Sequence, residues 1–95
     1  MKIGILSDSH HKSDYTREVI DFLKELNCEY LIHAGDLCIE NNLELLEESK
    51  LKYIAVFGNN DRNLIDLSSK YNIKQEPYYF QIKDIKLKLM HLPYY

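Results

Sequence analysis

The sequence predicts an α/β protein built from three strand–helix units followed by a β-hairpin. Three observations carry that expectation. Apolar runs at residues 2–7, 30–34 and 52–57 each break into polar or turn-forming residues, as buried parallel strands do. Residues at helical spacing lie between them. The final segment alternates apolar and charged side chains, the period of a sheet with one wet face.

In order, residues 2–7 form the expected first strand. Ser13 or Asp14 is expected to cap a helix to about Leu26, with Val19, Phe22, Leu23 and Leu26 along one face. Asn27 marks its stop. Residues 30–34 make the second strand, ended by Gly35, and Asn41 or Asn42 opens a shorter helix through Leu43 and Leu46 to about Ser49. Residues 52–57, dense in β-branched and aromatic side chains, make the third strand. A helix is expected over 63–70, with Leu64, Leu67 and Tyr71 on one face. Alternating strands and helices imply parallel strands with right-handed crossovers. A short fourth strand at 73–75 ends at Glu76-Pro77. Strands at 78–83 and 86–90, joined at Asp84-Ile85, complete the hairpin. There Ile85, Leu87, Leu89 and His91 oppose Lys86, Lys88 and Met90.

At 95 residues, with no repeat, linker or low-complexity tract, the chain 1–95 reads as a single small domain. Its 45% hydrophobic and 28% charged residues fit an ordinary globular protein. A net charge of −3, with both signs intermixed, argues against structural nucleic-acid binding and against a polybasic membrane patch. No apolar stretch suits a signal peptide or a membrane span. Cys28 and Cys38 lack both a disulfide framework and metal-type spacing. Two reduced, buried thiols and a cytoplasmic setting are expected.

The polar residues at the strand ends carry the chemistry. Asp8, His10, Asp36, Asn59 and, from the last strand, His91 offer carboxylate, amide and imidazole donors. These suit divalent ions of intermediate hardness, and a carboxylate can bridge two cations about 3.5–4 Å apart. Taken singly, each has a plainer explanation. Asp8 suits a helix cap, His10 and His11 an exposed loop, Asp36 and the Asn59-Asn60-Asp61 run turn geometry, and His91 a strand. His33 is assigned to the strand itself. All of those explanations must hold at once for the set to be accidental.

The motifs S-D-x-H at 7–10, H-x-G-D at 33–36, G-N-x-D-R at 58–62 and the late strand-ending His91 span nearly the whole chain. On them the sequence resembles the calcineurin-like metallophosphoesterase superfamily, closest to its YfcE-type phosphodiesterase subgroup. The resemblance implies an α/β sandwich of two sheets flanked by helices, with a dinuclear site at the strand ends. Asp8 and His10 would hold the first metal, Asp36 would bridge both, and Asn59 and His91 would hold the second. Asp61 and Arg62 would complete the catalytic set, Asp61 by orienting a neighbour and Arg62 by meeting the substrate or a structural carboxylate. The cofactors implied are two divalent ions, manganese first, with iron, zinc, nickel or magnesium sharing the donor set. The activity implied is hydrolysis of a phosphate ester, a small molecule or a nucleotide, by attack of a metal-bridging hydroxide.

The chain departs from this pattern in three ways. It lacks the later Gly-His-x-His segment that supplies one more histidine to each metal, so the domain is expected to be incomplete at its C-terminus. A homo-oligomer or a partner chain would then cover the unfinished second sheet. Asn60 stands where many members have a histidine that protonates the leaving group, though the YfcE-type subgroup lacks it too. His11 replaces a common glycine. The alternative function is a protein-binding scaffold, as in the superfamily's retromer subunit, using Tyr78, Tyr79, Phe80, Tyr94 and Tyr95. Every ligand expected within 1–95 is present, which favours the enzyme.

Overall fold

A computed structural model describes residues 1–94; Tyr95, one of the tyrosines considered for an interface, lies outside the described residues. Its elements run β1 (Ile3–Leu6), α1 (Ser13–Glu25), β2 (Tyr30–His33), α2 (Glu40–Glu48), β3 (Lys52–Val56), a 3-10 helix (Arg62–Ser69), β4 (Ile73–Lys74), β5 (Tyr78–Ile82) and β6 (Ile85–Leu89). The first four strands form one parallel sheet in the order β1-β2-β3-β4, and β5 and β6 form a separate antiparallel pair. In register, Leu6 stands beside His33, and His33 beside Ala55. The three strands therefore stop level, and their loops emerge at one rim.

Side-chain alternation sorts the core into two layers. Leu31, Tyr53, Ala55 and Phe57 face the helices, where they pack with Ile20, Leu43, Leu46 and Leu64. Ile32, Ile54 and Val56 face the other way, onto Ile82, Leu89, Phe80 and Leu87 of the hairpin. Among the described residues the helices cover one face of the parallel sheet and the hairpin covers the other.

Three local details differ from the sequence expectation. The first helix begins at Ser13 itself, with Lys12 at the N-cap and no side-chain cap. Its buried side is Thr16 and Ile20, with Leu23 packed against the core, while Phe22 and Leu26 are 58% and 42% exposed. The buried stripe thus lies part of a turn from the one the sequence predicts, since Thr16 is buried and its hydroxyl bonds back to Lys12 O at 3.2 Å. Second, residues 62–69 wind as a 3-10 helix; β-branched and small polar residues (Ile65, Asp66, Ser68, Ser69) are weak α-formers. The spacing of Leu64 and Leu67 faces the core in either winding. Third, Ile85 is 58% exposed although Leu87 and Leu89 pack inward. It lies at the hairpin turn, beyond the reach of the first sheet.

Asn27 ends α1 as expected. It adopts a left-handed backbone (φ 64), and Asn27 N–H and Cys28 N–H return to Lys24 O and Leu23 O, a Schellman closure.

Candidate metal centre

The rim is built from three loops that hold one another. Asp8 N–H donates to Gly35 O at 2.9 Å and His10 N–H to Asp36 O at 3.0 Å, so the loop after β1 is stitched to the loop after β2. Asp8, His10, Asp36 and Cys38 all adopt left-handed φ values, 56, 49, 62 and 63. Left-handed backbone is costly for residues with a Cβ and gathers at functional sites.

Asp61 supplies the mortar. Fully buried, its carboxylate accepts the N–H of Asp36 (2.8 Å), Leu37 (3.1 Å) and Gly58 (2.8 Å) at Oδ2 and that of Cys38 (2.7 Å) at Oδ1. A single side chain thereby ties the loop after β3 to the backbone that presents Asp36. Its neighbour is that backbone, and the carboxylate itself does not face solvent. Gly58 is required beneath it, since a Cβ there would sit 2.2 Å from Asp36 Oδ1. Gly35, at φ 103, likewise leaves room for His91, whose Nδ1 would be 2.8 Å from an added Cβ.

Three of the expected donors converge: ligand atoms of Asp8, His10 and Asp36 all lie within 4.8 Å of one another. His91, just beyond β6, joins them with Nε2 at 3.4 Å from Asp36 Oδ2. Its Nδ1 donates to Ala34 O at 2.8 Å, because a carbonyl can only accept. That leaves Nε2 as the ring nitrogen that faces Asp36. His10 is arranged alike, with Nε2 3.7 Å from Asp8 Oδ1 and Nδ1 against Cys38 Sγ at 3.5 Å. Imidazoles gripped at one nitrogen and open at the other, beside two carboxylates, are the donor set a divalent cation requires. The residues fit such an ion.

Asn59 and Arg62 are placed differently. Both are exposed, and both line a cleft with Phe57, Gly58, Glu76 and Leu92. No hydrogen bond joins Asn59 to Asp36 among the described residues; Asn60 makes that contact, through its backbone N–H to Oδ1 and its side-chain Nδ2 to Oδ2, both at 3.0 Å. Arg62 pairs with no carboxylate among the described residues. His10, His11, Cys38, Asn60 and Asn63 line a second cleft of about 460 Å³.

Protonation follows the burial and these contacts. Burial of Asp36 opposes its charge, but the two Asn60 hydrogen bonds and the nearby His91 and His10 outweigh it and hold its pKa below the usual carboxylate value. Burial, with the negative Asp61, Asp36 and Asp8, pushes the Cys38 thiol up. Burial drives His33 down to about 4, against the pull of nearby carboxylates. Neutral His33 accepts Gly35 N–H at Nδ1 (3.1 Å) and so donates from Nε2 to Ser9 Oγ (2.8 Å), bracing the first loop from inside the sheet.

Four supporting residues escaped the sequence reading. In the sequence Asn60 reads as turn material standing where many relatives have a histidine, and Cys38 as a buried thiol. Asn42, fully buried, donates from Nδ2 to His10 O and Leu37 O, each at 2.7 Å. The signal was there: Asn42 shares a helix face with Leu45 and Leu46, and a polar residue on an apolar face needs a partner. Glu76 gave no such signal.

Comparison with known proteins agrees with this geometry. The model of the calcineurin-like phosphoesterase superfamily domain matches residues 1–94. Phosphodiesterase MJ0936 of Methanocaldococcus jannaschii is 31% identical over 97 aligned positions, covering 96% of this chain and 58% of the relative. The solved structure of YfcE, a phosphoesterase from E. coli, superimposes with a TM-score of 0.78 at 23% identity, over 98% of this chain and 58% of that one, a likeness of fold. A structure of an archaeal phosphodiesterase gives a TM-score of 0.76 at 30% identity, over 93% of this chain and 57% of that one. The fold is thus that of the metallophosphoesterases, and these neighbours support the YfcE-type subgroup. They do not favour the scaffold alternative. The chain spans somewhat more than half the length of the relatives it matches.

Proposed function

The chain belongs to the calcineurin-like phosphoesterase superfamily, and from that premise we propose that it serves a metal-dependent hydrolase of phosphate esters, phosphodiesters first. The observation that carries the reading is the convergence of Asp8, His10 and Asp36 within 4.8 Å, with His91 Nε2 turned to Asp36. Asp8 and His10 would hold one divalent ion, Asp36 would bridge, and Asn59 and His91 would hold a second after Asn59 turns in from the exposed loop. Bound there, such ions supply an activated water and neutralise phosphate oxygens. The chain's own residues do the rest. Asp61 holds the Asp36 backbone in place, and Asn60 keeps the Asp36 carboxylate ionised and aimed. Arg62, exposed and without a carboxylate partner among the described residues, is free to meet an anionic ester.

In the same reading manganese comes first among the ions, and two unbridged thiols, Cys28 and Cys38, suit a reducing cytoplasm. The donors are one short at each ion, so further ligands come from outside residues 1–95, in the same protein or in a partner. The exposed edge of β1, with Ile5 69% exposed, is where such residues would pack.

Metal analysis and a bis(p-nitrophenyl) phosphate assay test this on the chain alone and on the chain joined to the C-terminal part of the archaeal relative. Manganese-stimulated, chelator-sensitive hydrolysis is expected in the joined form. Metal-free protein and no turnover in both would overturn it.

A further inference from the structure

The hairpin ladder pairs Tyr78 with Leu89. Continued outward by two residues, that register would set Glu76 opposite His91. The ladder stops at that pair, and Pro77 intervenes before Glu76. Glu76 takes over with its side chain. It is 8% exposed, and its Oε1 accepts the backbone N–H of His91 and, at 2.9 Å, that of Leu92. Both donors would otherwise be left without a partner where the strand ends.

His91 is thus gripped twice. Glu76 holds its backbone, and Ala34 O holds its ring at Nδ1, 2.8 Å away, leaving Nε2 3.4 Å from Asp36 Oδ2. Among the described residues the hairpin otherwise meets the parallel sheet mainly through one apolar cluster that includes Leu89 and Val56, with Lys74 Nζ over the Tyr78 ring beside it; apolar contacts resist separation but do not set orientation. A sub-ångström slide of the hairpin would still bury Leu89 and would lose the ring's alignment.

We propose that Glu76 is a positioning residue for His91, fixing the turn after β6 so that the imidazole keeps Nε2 directed at Asp36. This rests on the phosphoesterase reading for its purpose. It does not rest on it for its geometry, which can be measured with no metal present.

The test uses the full chain, isotope-labelled and metal-free, with Glu76→Ala and Glu76→Gln beside it. NMR reads the His91 ring tautomer and the exchange of the 91 and 92 amides; a Zn²⁺ titration follows. In Glu76→Ala, His91 is expected to lose its single Nδ1–H tautomer, and the two amides to exchange roughly 10-fold faster or more. The rings of His10 and His33 should stay unchanged. Zn²⁺ affinity should fall roughly 10–100-fold, as for other residues that orient a ligand. Glu76→Gln keeps an acceptor oxygen and should keep the tautomer. If Glu76→Ala does not fold, Glu76→Asp, too short to reach, takes its place with the same losses expected. An unchanged His91 ring in the Ala or Asp variant overturns the proposal, as does equal loosening of His10, His33 and His91. Failure of both the unaltered chain and its joined form to bind Zn²⁺ would count against the phosphoesterase reading alone, with the tautomer result still deciding the role of Glu76.

Discussion

The carboxylate of Asp61 lies directly behind the backbone of Asp36, taking its N–H at 2.8 Å, and it takes the N–H of Gly58 at the same distance. One strand's loop therefore fixes the residue that another strand presents. Asp61 reaches this position because it follows Gly58 by three residues, the span of the tight turn closed by Asp61 N–H to Gly58 O at 3.2 Å.

Removing that carboxylate should leave several buried donors unpaired. Asp61→Ala is expected to lower stability by on the order of 4 kcal/mol, read by urea unfolding, with Asp61→Asn intermediate because one acceptor survives. A loss below about 1 kcal/mol for the alanine variant would show that water replaces the contacts.

Gly58→Ala should disturb the site more than the fold. The added Cβ meets Asp36 Oδ1 at 2.2 Å and Asp36 N at 2.4 Å, so the carboxylate must move. Manganese binding, followed by electron paramagnetic resonance, is expected to weaken by more than roughly 10-fold while the far-ultraviolet circular dichroism spectrum is retained. Undiminished binding would mean that Asp36 is not where the ions sit.

Asp36→Asn and Asn59→Ala would tell the two proposed ion positions apart. The first is expected to remove both equivalents of bound metal, the second mainly one, measured by elemental analysis after equilibrium dialysis. Equal losses from the two changes would undermine the bridging assignment.

His33 makes stability depend on pH. Its folded value, about 4, lies below the ordinary 6.5, so between these the unfolded chain binds the extra proton and acid favours unfolding. Stability is therefore full above pH 6.5 and falls as pH drops toward 4, by up to about 3 kcal/mol. Urea midpoints at three pH values, one about a unit above 6.5 and two about one and two units below it, should decline in that order. In His33→Gln the slope over this range should flatten, and an unchanged slope would assign the effect to another group.

Much of the fold could be read from the residues because it rests on period and punctuation. The runs at β1, β2 and β3 are short, apolar and sharply ended, and Leu43 with Leu46 marks the buried face of α2. The stripe on α1 was less legible, since Thr16 and Phe22 carry the wrong hydropathy for the faces they occupy. Asp8, His10, Asp36 and His91 could be placed from the strand-end pattern. The contacts that hold them could not. Asp61 to Asp36, Glu76 to His91 and Asn42 to His10 each join residues 15 to 32 positions apart. They depend on loop trajectories that no local periodicity encodes.

The left-handed turns at Asp8, His10, Asp36 and Cys38 carry a consequence for how ions are captured. Isolated peptides of these sequences would seldom visit such conformations, so the claw exists only once the sheet has formed behind it. A cation arriving there would find Asp8, His10 and Asp36 already close together, with Asn59 still to turn in, and would cost little entropy in ordering them. Discrimination among ions would accordingly come from the size and shape of a claw whose backbone is set by the sheet behind it.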